Sequence, residues 1–523
     1  MHAFSLLVLF TLALTVAAEP QPQQSTSEPS RTLAARSSAI LPCNTDNPAP
    51  TPLFTPPPDP ILAPVAQIAV LLTATTAGPL TVLGKAAIDL VNNAAQLNIG
   101  GVLKSVTNLV PNLLCGLFGC AKQPVNDARP TLENAGAKRC LDSSANATTI
   151  NSLLYYGGAN TTVYLCSGAI INLESPVFFF APDQTLTTYG ALSTRAKLVV
   201  ADPSFTCAIY AANAGLDRVV LSNVEINGNR PKYGWSSSGL ALIEMGGNSV
   251  GQTIRNVKAY EPRGWSALHA LEGSDNQCSG MKIQDNELGP AGNAPSGAAQ
   301  FRMAKLKRGD AGYTPGQWAD GISLACKEST VTGNTITDAT DGGIVIFGAP
   351  GSNIKANNII AEDRVLMGGV NAVDYYPFLG NYGDLVVSGN TFNAKSTLMK
   401  VGIAVGPSTW GSGTAAIRTF GGTFSQNTFT SSTKTGYFGY ALSVAGHSAG
   451  RFLANNALGA NFGGVYSAAC QPNMPKPQFS IYNPVLSIGN TLQTSFKAAS
   501  YSLAICLGPG NITDTGVTSL GSF

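Results

Sequence analysis

From Cys140 onward, apolar and polar positions alternate in short bursts that never run long enough to make a helix. A phrase of the form apolar-x-x-Asn-x-apolar recurs as IQDNEL, VTGNTI, IKANNI, VSGNTF, FSQNTF and FLANNA, centred on Asn286, Asn334, Asn357, Asn390, Asn427 and Asn455. Weaker copies, VLSNVE and TIRNVK, hold Asn223 and Asn256, and the asparagines are spaced by 33, 30, 48, 23, 33, 37 and 28 residues. A fixed phrase with a variable period predicts one rung per repeat and loops of changing length, an all-β stacked solenoid. Each repeat carries a further apolar phrase: LALIEMG, SALHALEG, DGISLAC, GGIVIFG, VGIAVG and ALSVAG. A rung therefore reads strand, turn, strand, Asn turn, strand, loop. Parallel strands stacked about 4.8 Å apart would place the asparagines in one column, their amides hydrogen-bonded up and down the stack. Their expected role is structural.

The first 139 residues read differently. MHAFSLLVLFTLALTVAAEP has an apolar run ending in small residues, the shape of a cleaved secretory signal over residues 1–18. Residues 19–60 are rich in Pro, Ser and Thr and predict a linker or disordered arm. Residues 61–139 are apolar and predict packed helices, either a cover for one end of the main domain or a pro-segment removed at Lys138-Arg139. The solenoid domain is placed at 140–523. Ten cysteines and three sequons, at Asn146, Asn160 and Asn511, suit an exported chain with up to five disulfides. Charged residues make up only 11% and the net charge is +2, which leaves no electrostatic footprint for nucleic acid or an anionic membrane surface. The 14 residues Val65 to Gly78 are too short and too polar for a membrane span. A secreted monomer is expected.

The rung phrases, with the lead-in TTVYLCSGAIINLESPVFFFAPDQTLTTYG, resemble the pectin lyase-like superfamily, in particular its secreted fungal members, over roughly residues 140 to 470. The resemblance implies a right-handed, single-stranded parallel β-helix and a polysaccharide as partner. It also implies action from the groove along the edge that holds AYEPRGWSALHALEG, GQWADGISLAC, TDATDGGIVIFG and AEDRVLMGGVNAVDYY. Asp320 and Asp341 precede Ile322 and Ile344 in successive rungs, and Asp374 comes from the next, so the three carboxylates are expected as near neighbours. Mutual repulsion would keep one protonated while another stays ionised, the pair that inverting glycoside hydrolysis needs. Polygalacturonases are similar in that arrangement, although this chain has WADG where they have Asn-Thr-Asp-Gly and lacks their Gly-His-Gly and Arg-Ile-Lys phrases.

Trp318 and Tyr375 beside these acids suit sugar rings, and His269 and Glu272 alternate out of step with the apolar positions and are expected to face the groove. Each also has a plain structural reading, as does the ADG or TDG turn. The same holds for Glu261 and Arg263, a candidate solvated pair. Within the long insertion FRMAKLKRGDAGYTPGQW, Arg302, Lys305, Lys307 and Arg308 could neutralise a polyuronate or supply the base of a β-eliminating lyase. No zinc spacing is present. No cofactor is expected, with Ca²⁺ reserved for the lyase reading, since calcium is used by pectate lyases of the fold this chain resembles. A glycan-binding solenoid without catalysis is the third reading.

Overall fold

The computed structural model describes residues 140–501 apart from 191–193, 237, 293–317, 411–417 and 467–474, and beyond 501 the strand segments Leu507–Gly508, Asn511–Thr513 and Gly516–Ser519. The leader, linker and helical extension expected over 1–139 lie outside these residues, as do Arg302, Lys305, Lys307 and Arg308. The described strands form three main parallel sheets of 11, 9 and 11 strands, which each coil of the chain visits in turn. In one pair of coils, Thr330–Thr332 pairs with Asn353–Lys355 in the first sheet. Thr335–Thr337 pairs with Asn358–Ala361 in the second, and Gly342–Ile346 with Leu366–Ala372 in the third. The fold is the all-β parallel coil that the repeat predicts.

Stacking in register turns the repeated apolar positions into columns. Ile283, Val331, Ile354, Val387, Phe424 and Phe452 stand above one another in the first sheet, and Leu268, Ile322, Ile344, Val370, Ile403 and Leu442 in the third. All are fully buried. The second-sheet column grows from Ile336 and Ile359 to Phe392 and Phe429, whose rings stack 4.8 Å apart. Room for it comes from a facing column of glycines. A Cβ on Gly321, Gly343, Gly369 or Gly402 would lie 2.5, 2.7, 2.5 or 2.3 Å from Ile336, Ile359, Phe392 or Phe429 respectively.

At the turn from first to second sheet, Nδ2 of Asn286, Asn334, Asn357, Asn390 and Asn427 donates to Oδ1 of the next asparagine at 2.8 to 3.0 Å, and Asn455 ends the row on Gln493 at 3.1 Å. The second amide hydrogen goes to a backbone carbonyl, as from Asn334 to Ile283, and each of these Oδ1 atoms also takes a backbone N–H. These buried amides are thus fully satisfied, as the interior requires. Asn223 and Asn256 sit one position earlier. Asn256 stands opposite Asp285, shares its positive φ, and bonds Asn223 in a separate pair.

Helix α1, Ala147–Gly157, closes the first coil, with Asn146 as N-cap accepting from Thr149 N and with Ala147, Ile150 and Leu154 turned into the core. Disulfides join Cys140 to Cys166 and Cys278 to Cys326, and Cys207 is also disulfide-bonded.

Candidate functional site

In the first two sheets the strands alternate buried and more exposed residues, but the third-sheet strands Ser266–Leu271, Asp320–Leu324, Gly342–Ile346 and Leu366–Ala372 are buried throughout. Their outward row continues in register from Tyr210 at one end to Ala404 and Ser443 at the other. Tyr210 packs with Cys207, Ala212 and Leu271 at one end, and Ala404 packs with Tyr440, Ile481 and Tyr501 at the other. Between them the row reads Glu244, His269, Ser323, Val345, Asn371 in register from coil to coil. Four polar side chains in five successive positions of this row mark the candidate site.

Glu244 is held at both oxygens, by Ala241 N at 3.0 Å and by His269 Nδ1 at 2.8 Å. A carboxylate accepts, so Nδ1 carries the proton in that contact. The imidazole packs edge to face on Trp265, ring centroids 4.7 Å apart. One coil on, Ser323 Oγ lies 2.9 Å from Ser266 Oγ and 2.7 Å from Asp320 Oδ2, and Gly342 N donates to Asp320 Oδ1 at 3.0 Å. Asp320 is 1% exposed, and donors at both oxygens are what a carboxylate out of water needs. The local cause is Gly321. Gly321 and Ile322 both face the core, so Asp320 and Ser323, three apart, meet on the outer face. Burial, and then the charge of Glu244, push the Tyr210 phenol above its ordinary range.

Asp341 is half-buried and directly precedes Gly342, the register partner of Asp320, so the two acids come from adjacent coils at one edge of the sheet. Asp374 does not join them. It follows Ala372, the last residue of its strand, whereas Asp341 precedes the first of its own, and five strand residues, roughly 16 Å, lie between those edges. The expectation that all three acids are near neighbours is corrected for Asp374, which lies at the other edge of the sheet. Alignment explains the difference: GGVNAV occupies the place of GGIVIF, which puts Asp374 beyond the strand. Tyr375 sits at that far edge with Tyr376, and so does Glu272, just past Leu271, its carbonyl accepting from Cys278 N. Glu272 and Tyr375 are therefore separated from Asp320 by the strand's length. Trp318, half-buried, is two residues before Asp320 and bridges to Gly292. Glu261 and Arg263 are not a pair. Arg263 donates to the carbonyls of Pro203, Phe205 and Gly234, while Glu261 pairs with Arg364 at 2.8 Å.

Glu244, Ser266, Ser323 and Asn371 escape a strand-by-strand reading, because each is a lone polar residue in an apolar phrase. Superposing the phrases LIEMGG, ALHALE, GISLAC, GIVIFG and GVNAVD puts Glu244, His269, Ser323, Val345 and Asn371 in one column. Among the described residues no group of three or more His, Cys, Asp or Glu is placed to hold a metal ion, and no helix is long and apolar enough to cross a membrane.

A family model described as a right handed beta helix region matches residues 317–458. Over those residues the parallel coil fits that description, a right-handed parallel β-helix. Among solved structures, the chain is similar to the A-module of a mannuronan C-5 epimerase from Azotobacter vinelandii, with 13% identity over 60% of this chain and 72% of that one, TM-score 0.41. It is also similar to an alginate lyase from Paenibacillus, with 15% identity over 68% and 98%, TM-score 0.36. A hyperthermoactive exopolygalacturonase from Thermotoga maritima has 11% identity over 61% and 85%, TM-score 0.37. No curated protein sequence matches the chain.

Proposed function

We propose that the chain is an extracellular carbohydrate-active enzyme that cleaves glycosidic bonds of a polysaccharide by general acid–base hydrolysis, with Asp320 and Asp341 as the reacting pair. The observation that supports this reading is Asp320, buried on the outer face of the third sheet with both oxygens engaged by donors, one coil away from Asp341 at the same edge of the sheet. Asp320, whose oxygens are both engaged by donors, suits the base that takes a proton from water as the water oxygen adds to the anomeric carbon. Asp341, less buried, suits the acid that protonates the leaving glycosidic oxygen as the carbon–oxygen bond breaks. Trp265 and Trp318 offer apolar faces beside them.

A second reading is favoured by one contact, Glu244 against His269 Nδ1. An imidazole oriented in this way can remove the proton beside a uronate carboxyl, so that the glycosidic bond breaks by β-elimination. Incubation with pectate, alginate, xylan and laminarin, followed by mass spectrometry of the products, separates the two. Hydrolysis adds one water per bond broken, whereas elimination adds none and leaves an ultraviolet-absorbing double bond. Intact polymers throughout would end both readings.

A further inference from the structure

Ser266 and Ser323 are fully buried and Asp320 is 1% exposed, so the hydroxyls must find their hydrogen-bond partners inside the protein. Ser266 Oγ lies 2.9 Å from the Leu268 carbonyl oxygen and 2.9 Å from Ser323 Oγ, which in turn lies 2.7 Å from Asp320 Oδ2. Each hydroxyl has a single hydrogen to give. With Asp320 ionised, two hydrogens serve these three contacts. Ser323 donates to the carboxylate, Ser266 donates to one of its two neighbours, and one contact is left without a hydrogen. With a proton on Asp320 Oδ2 the count closes: Asp320 donates to Ser323, Ser323 to Ser266, and Ser266 to the Leu268 carbonyl. Neither serine loses a proton in the change, since each hydroxyl only turns about its C–O bond. Asp320 Oδ1 keeps the Gly342 N–H at 3.0 Å in both states.

We infer that Ser266 and Ser323 are positioning residues that make Asp320 a stronger base, through a chain of hydrogen bonds that is complete only when Asp320 holds a proton. The inference rests on the reading of Asp320 as the base and adds to it the two hydroxyls that act through it. The proton concerned is the one the attacking water gives up as its oxygen bonds the anomeric carbon. One extra internal hydrogen bond then favours its staying on the carboxyl. Among the described residues, the titratable side chains on the strands packed against Asp320 are His269, within Ser266–Leu271, and Asp341, directly before Gly342–Ile346. Both remain in a variant at position 266, so their influence is common to variant and wild type.

The test uses the full chain carrying Ser266→Ala, on whichever of pectate, alginate, xylan or laminarin the wild type cleaves. This variant takes one hydrogen bond from the ionised state and two from the protonated state. The acid limb of its kcat/KM profile should therefore move to lower pH by about half to one unit, with KM within about threefold of wild type. A serine with a purely structural role would lower the melting temperature and leave the limb in place. That result, or a limb moved to higher pH, would overturn the inference while leaving the cleavage reading intact. Should Ser266→Ala not fold, Ser266→Cys, whose thiol is a weak donor and acceptor, gives the same reading. Unfolding of both would assign Ser266 to the fold and overturn the inference too. Infrared titration of the carboxyl, with Asp320→Asn as the blank, follows the same proton without any substrate. If the wild type cleaves none of the four polymers, the cleavage reading falls, and the infrared titration decides the hydroxyl chain by itself: a shift to lower pH in Ser266→Ala upholds it, and no shift removes it.

Discussion

His447 is buried with both ring nitrogens engaged: Nε2 donates to the Gly421 carbonyl at 2.8 Å, so Nδ1 accepts from the Thr419 hydroxyl at 2.7 Å. Burial depresses its pKa to about 4, opposed in part by the Gly421 carbonyl. In the unfolded chain the ring protonates near its ordinary value of about 6.5. Below that pH the unfolded state binds the extra proton first, so stability is fully present above it and drains away as pH falls toward 4. The loss from this residue alone amounts to about 3 kcal/mol between pH 7 and pH 4. Urea denaturation at those two pH values should show this drop in the wild type and a smaller one in His447→Gln, and an equal drop in both would contradict it. Such residue-scale detail was barely legible in the sequence, where His447 is one polar letter in ALSVAGHSAG. Glu244 was missed for a similar reason. Its neighbours mark a buried strand, and only the stacking of coils gives it His269 as a partner.

At the scale of the strand, the inward glycines decide which residues face out. Alternation alone would send Asp320 and Ile322 to the same face, but Gly321 takes an inward place beside Ile322 and shifts the phase by one. The alternative reading of ADG as a turn fails, since Asp320 opens a strand and nothing local shows that Gly321 packs on Ile336, whereas Thr340 and Asp341 of TDG do form a bend. The Asn phrase was legible because its requirement is local and repeated. Its register slip at Asn223 and Asn256 was not, since one missing residue leaves the letters alike. Gly402→Ala is expected to destabilise by about 1–3 kcal/mol, because the added methyl must displace the Phe429 ring from 2.3 Å in a packed core. Adding Phe429→Leu to that variant should recover part of the loss. Thermal melting of the three proteins checks both statements, and an unperturbed Gly402→Ala would disprove the packing role.

Across the molecule, the variable period of 23 to 48 residues reflects loops grafted onto a constant coil. The disulfide Cys278–Cys326, itself spanning 48 residues, ties successive coils together and, by loop-closure entropy, contributes about 4 kcal/mol in the oxidised chain. Coil order was legible from spacing; the edge of the sheet on which an acid lands was not, because a phrase such as GGVNAVDYY shows where its strand starts only once aligned to its neighbours. The separation of Asp374 from Asp341 by a strand's length gives the most direct measurement. On whichever of the four polymers the wild type cleaves, Asp320→Asn should lower kcat at least about a hundredfold, while Asp374→Asn, on the far edge, should stay within about threefold of wild type. An Asp320→Asn enzyme as active as the wild type, or an Asp374→Asn enzyme as crippled as Asp320→Asn is expected to be, would contradict the assignment of the site to the near edge of the third sheet.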